Sequence, residues 1–230
     1  MDCKKVIFVH LPKTGGTLIR EYFNFVSASQ DVEIQLGGNG ITKSGVGAHG
    51  PIEDFIDKEQ AYKFGLVRNP FDWYVSRYFY FIKKGVAEGG VSIENDCGLY
   101  GHDFCSKFPT VKSHILYGID NPRLSRFWLS DMYKYMFYNN DSFFMDHVGK
   151  LETINTEIQS LWDHIGISPS HSLASFDQQT SNMHRNRSAH EHYSYYYDQE
   201  MIDIIYEKDK LIFDKYEYTL MYKKWWDKSE

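Results

Sequence analysis

A chain of 230 residues with 42% hydrophobic content can bury the core of an enzyme-sized globular domain. Its 25 basic and 31 acidic residues leave a net charge of −6, which argues against a nucleic-acid partner needing a broad cationic surface but not against a small anion held locally. No apolar run approaches the ~20 residues of a membrane span, and Met1 to Lys5 leads into an apolar segment without a signal peptide, so a soluble chain that stays in the cytoplasm is expected.

Val6 to Val9 is a short continuous apolar run, and Leu18, Ile19, Tyr22, Phe23 and Val26 make a helical stripe behind it. Lys-Thr-Gly-Gly-Thr lies between them, so the order is strand, loop, helix. Leu36 to Pro51, LGGNGITKSGVGAHGP, is too polar and glycine-rich for core and reads as a long loop lining a site. Phe64 to Val67 reads as a second buried strand, followed by RNPFDWYVSRYFYFIKK with Val75, Tyr78, Phe79 and Ile82 at helical spacing. Asn69 suits the cap of that helix, Pro70 its first position and Asp72 its first turn. Residues 85–140 mix glycine, asparagine and aromatics without a repeat and receive no assignment.

Phe143 to Val148 reads as a further strand, with Val148, Leu151, Ile154, Ile158, Leu161, Trp162 and Ile165 as a helix ended by Gly166 and Pro169. A last helix uses Ile202, Ile205, Tyr206, Ile212 and Phe213, after a polar segment rich in His and Arg. The alternation predicts an α/β fold, a mostly parallel central sheet flanked by helices, with ligands at the carboxyl ends of the strands. Residues 1–230 are expected to form a single domain with an insertion at about 85–140. Three cysteines, Cys3, Cys97 and Cys105, are too few for a disulfide scaffold or a zinc site. They read as free thiols, with a Cys97–Cys105 bridge as the alternative.

The first loop has the chemistry of an anion cradle. Backbone N–H groups of Thr14, Gly15, Gly16 and Thr17 fall at a helix start, glycine permits close approach, Lys13 adds a cation, and the Thr14 and Thr17 hydroxyls add donors. A nucleotide triphosphatase would show G-x-x-x-x-G-K-[ST], with lysine after the glycines. Here Lys13 precedes them, and the second strand ends in Arg68 where such enzymes commonly place an Asp for magnesium.

PKTGGT after the first strand, joined to RNPFDWYVSRY after a later one, resembles the two nucleotide-binding signatures of sulfotransferases, which use 3′-phosphoadenosine 5′-phosphosulfate (PAPS). The resemblance implies a P-loop-NTPase-like sulfotransferase fold in which Pro12, Lys13, Thr14, Gly15, Gly16 and Thr17 grip the 5′-phosphosulfate. Arg68 and Ser76, eight positions apart, would take the 3′-phosphate. HVGKLETINTEIQSLWDHIGI and HRNRSAHEHYSYYYDQEMIDIIYEKDKLIFDKYEY resemble later segments of the carbohydrate-sulfotransferase branch, which makes Arg185, Arg187 and Ser188 secondary nucleotide contacts. Trp73 stands where family members often carry a basic residue, residues 85–140 match nothing in the pattern, and the membrane anchor of Golgi members is absent. The last departure suggests a soluble bacterial or viral version.

Sulfuryl transfer to a hydroxyl requires a held leaving phosphate, charge stabilisation and a base. Lys13 is the expected stabiliser of the bridging oxygen and of the leaving 3′,5′-ADP, and no metal is expected because a sulfuryl group carries less charge than a phosphoryl group. Among ten histidines, His49 lies between the two signatures, a position resembling that of the catalytic histidine of uronyl 2-O-sulfotransferases. Glu53 and His10 are the reserves, His10 reading more readily as a core residue. The acceptor is expected to be a carbohydrate or small-molecule hydroxyl, the former by resemblance only. A non-catalytic nucleotide or sulfated-ligand module and an atypical P-loop kinase are the alternatives.

Overall fold

In a computed structural model of the chain, residues 4–36, 50–55, 58–83, 101–124, 126–180 and 190–219 are described. They belong to two compact units, Met1–Arg68 with Tyr133–Asn186, and Asn69–Met132 with Arg187–Glu230.

The first unit is built on the apolar run that opens the chain. Strand β1 (Lys4–Val9) has Val6, Ile7, Phe8 and Val9 all fully buried, as a strand covered on both faces requires. It pairs in parallel with β2 (Val32–Leu36) on one side and β3 (Tyr62–Val67) on the other. A fourth parallel strand, β6 (His147–Lys150), continues the sheet beyond β3, giving the order β2-β1-β3-β6. The chain thus goes to one side of β1 and then crosses to the other. The carboxyl ends of β1 and β3 flank this reversal of strand order, the position where open α/β sheets bind ligands.

Alternation separates the two faces of the sheet. Val6, Phe8, Phe64 and Leu66 face a core completed by Ile19, Tyr22, Phe23 and Val26 of helix α1 (Gly16–Ser29), by Ile158, Leu161 and Trp162 of α6 (Ile154–Ile165), and by Leu173 and Phe176 of α7 (Leu173–Gln179). The rings of Phe23 and Trp162 meet edge-on at 5.2 Å, within the range favoured for aromatic pairs. On the opposite face the Phe137 ring lies over Gly65, where a Cβ would come to 2.8 Å from it.

Several expectations are corrected here. Phe143 to Val148 is not one strand: β4 (Tyr138–Asn139) and β5 (Ser142–Phe143) form a hairpin, and β6 begins only at His147. The break has two causes. Asn140 and Asp141 both take left-handed conformations, φ 48° and 62°, the signature of a tight hairpin turn. Asp146 then joins Lys63, accepting its N–H at 2.8 Å and donating its own N–H to the Lys63 carbonyl at 3.0 Å. Val148 belongs to β6, and α6 starts at Ile154 after a single 3₁₀ turn, Leu151–Thr153. It ends as expected at Gly166, which is left-handed at φ 63°.

The second unit begins with the helix of the second signature, α2 (Pro70–Lys83). Asn69 caps it as expected, its Oδ1 accepting the Phe71 N–H at 3.0 Å. Part of the unassigned stretch contains α3 (Gly101–Lys107), α4 (Val111–Asp120) and α5 (Leu129–Phe137), the last continuing into the first unit. Thr110 and Ser113 close α4 with a reciprocal capping box. Their apolar partners are aromatic: Phe81, Phe104, Phe108 and Phe127 surround the buried ring of His114. Burial pushes the His114 imidazole well below its usual range, and the Arg77 charge adds to this. Trp73, the departure from the family pattern, is fully buried with the Arg77 guanidinium 5.1 Å from its ring centroid.

The last helix, α8 (Gln199–Tyr216), is capped by Asp198, which accepts the Met201 N–H at 3.0 Å. Cys105 is a half-buried free thiol, while Cys97 lies outside the described residues. Among the described residues no helix is long and apolar enough to cross a membrane.

Candidate functional site

The loop between β1 and α1 is held by its own backbone. Leu11 and Pro12 are buried, and the Thr14 hydroxyl, itself fully buried, donates to the Leu11 carbonyl at 2.6 Å. This corrects one expectation, since the Thr14 hydroxyl proton closes the loop and is not turned to an anion. Two left-handed residues bracket Thr14: Lys13 at φ 66° and Gly15 at φ 77°. Gly15 adopts such a φ without penalty, whereas for lysine it is a strained state.

Gly15 is the N-cap of α1, with no side chain capping the helix and no acidic residue in its first turn. The first intrahelical bond runs from the Ile19 N–H to the Gly15 carbonyl at 3.3 Å, so the N–H groups of Gly16, Thr17 and Leu18 have no partner within the helix. Such a terminus, with its partial positive charge, fits a phosphate or sulfate. Thr17 is exposed and Lys13 half-buried, so the sides of the loop meet solvent.

What backs the loop explains why its residues are small. A Cβ on Gly16 would lie 1.9 Å from Nε2 of His10, a ring only 8% exposed. A Cβ on Gly15 would come within 2.8 Å of Leu151 Cδ1. Leu151 belongs to the turn after β6, which Glu157 secures: its carboxylate accepts the Lys150 N–H at 3.2 Å and the Thr153 hydroxyl at 2.8 Å, and meets His147 Nε2 at 2.7 Å. Burial by itself would raise the Glu157 carboxyl, but these hydrogen bonds outweigh it and hold the group below its ordinary value. The sequence reading missed the support from Leu151 and Glu157. Its only trace there is GKLET, which reads as the start of an amphipathic helix.

At the end of β3, Arg68 reaches back to the loop and donates from Nη1 to the Lys13 carbonyl at 3.2 Å. The structure therefore brings Arg68 and Lys13 together. Ser76, 3% exposed on α2, belongs to the second unit. His10 is buried behind Gly16, as its core reading expected. Glu53 stands on a single 3₁₀ turn, Ile52–Asp54, where its Oε1 accepts the Asn140 N–H at 3.0 Å and supports the β4–β5 turn. His49, Arg185, Arg187 and Ser188 lie outside the described residues. Among the described residues, no group of three or more His, Cys, Asp or Glu side chains is placed to hold a metal ion.

A parallel sheet flanked by helices, with an uncapped, glycine-containing helix start at its switch point, defines an α/β protein with a loop fit for an anion. The sulfotransferase family profile matches residues 2–218, and the chain belongs to that family. By that membership it is a PAPS-dependent sulfotransferase. No curated protein matches the chain. Among solved structures it is similar to mouse sulfotransferase SULT7A1 complexed with PAP, at 12% identity and a TM-score of 0.46, over 94% of this chain and 85% of that one.

Proposed function

We propose that the enzyme transfers the sulfuryl group of PAPS to a carbohydrate hydroxyl by in-line displacement, with His49 as the base. The observation that carries the donor half of this reading is the β1–α1 loop of a sulfotransferase-family chain, while the carbohydrate and His49 rest on the resemblance of the sequence. The loop's helix start is uncapped, its lysine is half-buried, and an arginine from the neighbouring strand end is hydrogen-bonded to it.

In this reading residues Pro12 to Thr17 grip the 5′-phosphosulfate, with backbone N–H groups of Thr14 to Thr17 as donors, and Arg68 with Ser76 takes the 3′-phosphate. Arg185, Arg187 and Ser188 are secondary nucleotide contacts. The acceptor oxygen forms a bond to sulfur as the bond from sulfur to the 5′-phosphate oxygen breaks. The electron pair leaves with 3′,5′-ADP, where Lys13 meets the developing negative charge, and the acceptor proton passes to His49. A single sulfotransferase domain over residues 1–230 is consistent with a family match that spans nearly the whole chain.

The test is an acceptor screen with labelled PAPS, followed by pH–rate profiles of the wild type and His49→Gln. Turnover on a carbohydrate should rise through roughly pH 6 to 7 and then level off, because a histidine base works only when neutral. His49→Gln should lose on the order of 10²- to 10⁴-fold in turnover, with 3′,5′-ADP binding nearly unchanged. A glutamine variant with wild-type turnover would remove His49 from the reaction. Transfer only to phenols or peptide tyrosines would remove the carbohydrate.

A further inference from the structure

Lys13 is a non-glycine residue held at φ 66°, and its carbonyl accepts a hydrogen bond from Arg68 Nη1 at 3.2 Å. The two residues are 55 positions apart and lie at the ends of adjacent parallel strands, β1 and β3. We propose that Arg68 is a positioning residue for Lys13: its guanidinium stabilises the left-handed backbone that sets the direction of the lysine side chain. The inference rests on the donor reading above, and it adds that the residue assigned to the 3′-phosphate also sets the geometry of the one assigned to the transferring group.

The physical argument begins with strain. A left-handed lysine is disfavoured by the approach of its Cβ to the following carbonyl, so the conformation persists only where its surroundings hold it. The Thr14 hydroxyl, donating to Leu11 at 2.6 Å, fixes the chain on one side of the Lys13 carbonyl, and Gly15 at φ 77° turns it on the other. Arg68 holds the carbonyl itself. A charged donor makes a stronger hydrogen bond than a neutral one, and guanidinium has five N–H groups in a planar fork. One arm can therefore stay on the Lys13 carbonyl while others meet a phosphate. A donor with a 3′-phosphate would then rigidify Arg68 and, through it, Lys13. A nucleotide without that group would lose this added stiffening but keep the contact.

The contact also predicts what happens when the arginine is removed. Without Arg68, the loop around Lys13 should relax towards ordinary φ values, and binding any 5′-phosphate would first require restoring the strained shape. Glycine at position 13 removes that requirement, since it takes φ near 66° without cost. The effect of removing Arg68 should therefore depend on which residue stands at position 13.

The experiment measures 3′,5′-ADP and 5′-AMP binding by calorimetry, and melting without nucleotide, for the full chain with and without Arg68→Met. Each is done in the wild-type, Lys13→Ala and Lys13→Gly backgrounds. Arg68→Met should weaken 5′-AMP about tenfold in the wild-type and Lys13→Ala backgrounds, and about threefold or less in the Lys13→Gly background. The same substitution should lower the ligand-free melting temperature less in the Lys13→Ala background than in Lys13→Gly, because only the alanine chain recovers strain when the contact is lost. If Arg68→Met weakens 3′,5′-ADP alone and leaves 5′-AMP and the melting differences equal across backgrounds, Arg68 only reads the 3′-phosphate and the positioning role is wrong. If 5′-AMP falls equally in all three backgrounds, strain relief is not the mechanism and the proposal is overturned. If the wild type binds neither nucleotide, the donor reading fails, and the ligand-free melting cycle by itself decides whether Arg68 holds Lys13.

Discussion

Gly16 and Lys13 show how single positions in the loop are constrained for opposite reasons. At the first position of α1, alanine in place of Gly16 would ordinarily gain up to ~1 kcal/mol from helix propensity. Here the added Cβ would sit 1.9 Å from Nε2 and 2.2 Å from Cδ2 of a buried ring, so His10 or the helix start must shift. Such overpacking costs about 1–3 kcal/mol, which outweighs the propensity gain. Gly16→Ala should therefore lower stability in urea denaturation, and His10→Ala in the same chain should recover part of the loss. An alanine variant as stable as the wild type would show that the ring moves away freely. Lys13→Ala tests chemistry instead of space. A contact that strengthens in the transition state is worth ~3 kcal/mol, so turnover should fall on the order of 10²-fold while 3′,5′-ADP binding weakens less. Equal losses in the two would mean that Lys13 serves binding alone.

At the scale of elements, Asp209 shows what a sequence conceals. In EKDKL it reads as one more surface charge on the last helix, yet it is fully buried at a kink in α8, where its φ/ψ are −110° and 21°. Its carboxylate accepts the Tyr74 hydroxyl of α2 at 2.6 Å and the Ser130 N–H in the first turn of α5 at 2.7 Å, while Tyr74 in turn accepts the Leu129 N–H at 3.0 Å. Three helices of the second unit thus meet at one acid. Burial pushes the carboxyl up to about 7 from 3.8, against the pull of its hydrogen bonds, and Asp131 adds to the rise. A raised acid is protonated in the folded chain before it is in the unfolded one. Its stabilising contribution is therefore full below pH 3.8 and is lost as pH rises to about 7. The stability difference between wild type and Asp209→Asn should fall across that window by an amount on the order of 4 kcal/mol, read from denaturation at several pH values. A flat difference would mean that Asp209 titrates like an exposed carboxylate. The same contrast separates what was legible from what was not. β1, α1, β3 and α2 announce themselves because buried parallel strands are continuous apolar runs and Asn69-Pro70 is a local start signal. Strand β2, VEIQL, does not announce itself: among the described strands it lies at the sheet edge beside β1, and it lacks a continuous apolar run. Helices α3 and α4 pack through aromatic contacts such as Phe104 against Phe81 at 5.3 Å and His114 against Phe127 at 5.2 Å, which join residues far apart in the chain and leave no local period. The anion loop was readable because its chemistry is contiguous, whereas the Arg68 hydrogen bond to Lys13 spans 55 positions and exists only once β1 and β3 are paired.

For the whole molecule, the balance of charge makes nucleotide selectivity a sharp test. A chain with net charge −6 offers an anion no general attraction, so affinity for a bisphosphate nucleotide has to come from local groups such as the α1 start, Lys13 and Arg68. Local recognition discriminates between anions of similar charge by where their phosphates fall. A ligand that binds only the native chain stabilises it by about 2.7 kcal/mol when present at 100 times its dissociation constant. For a protein of this size, each kcal/mol moves the melting temperature by roughly 2–4 °C. Saturating 3′,5′-ADP should therefore raise the melting temperature of the full chain by about 5–10 °C. The shift should be the same with and without magnesium if, as proposed, N–H groups and cationic side chains hold the donor. ATP with magnesium at the same concentration should give a much smaller shift, since its phosphates extend from the 5′ position and leave the 3′ position as a hydroxyl. The measurement is a set of melting curves with 3′,5′-ADP, 5′-AMP and ATP, each with magnesium and with chelator. A larger shift for ATP that vanishes with chelator would identify a metal-dependent triphosphate site and overturn the assignment of the loop to PAPS. Equal shifts for 3′,5′-ADP and 5′-AMP would leave the 5′-phosphate cradle standing and remove the 3′-phosphate contact from Arg68 and Ser76.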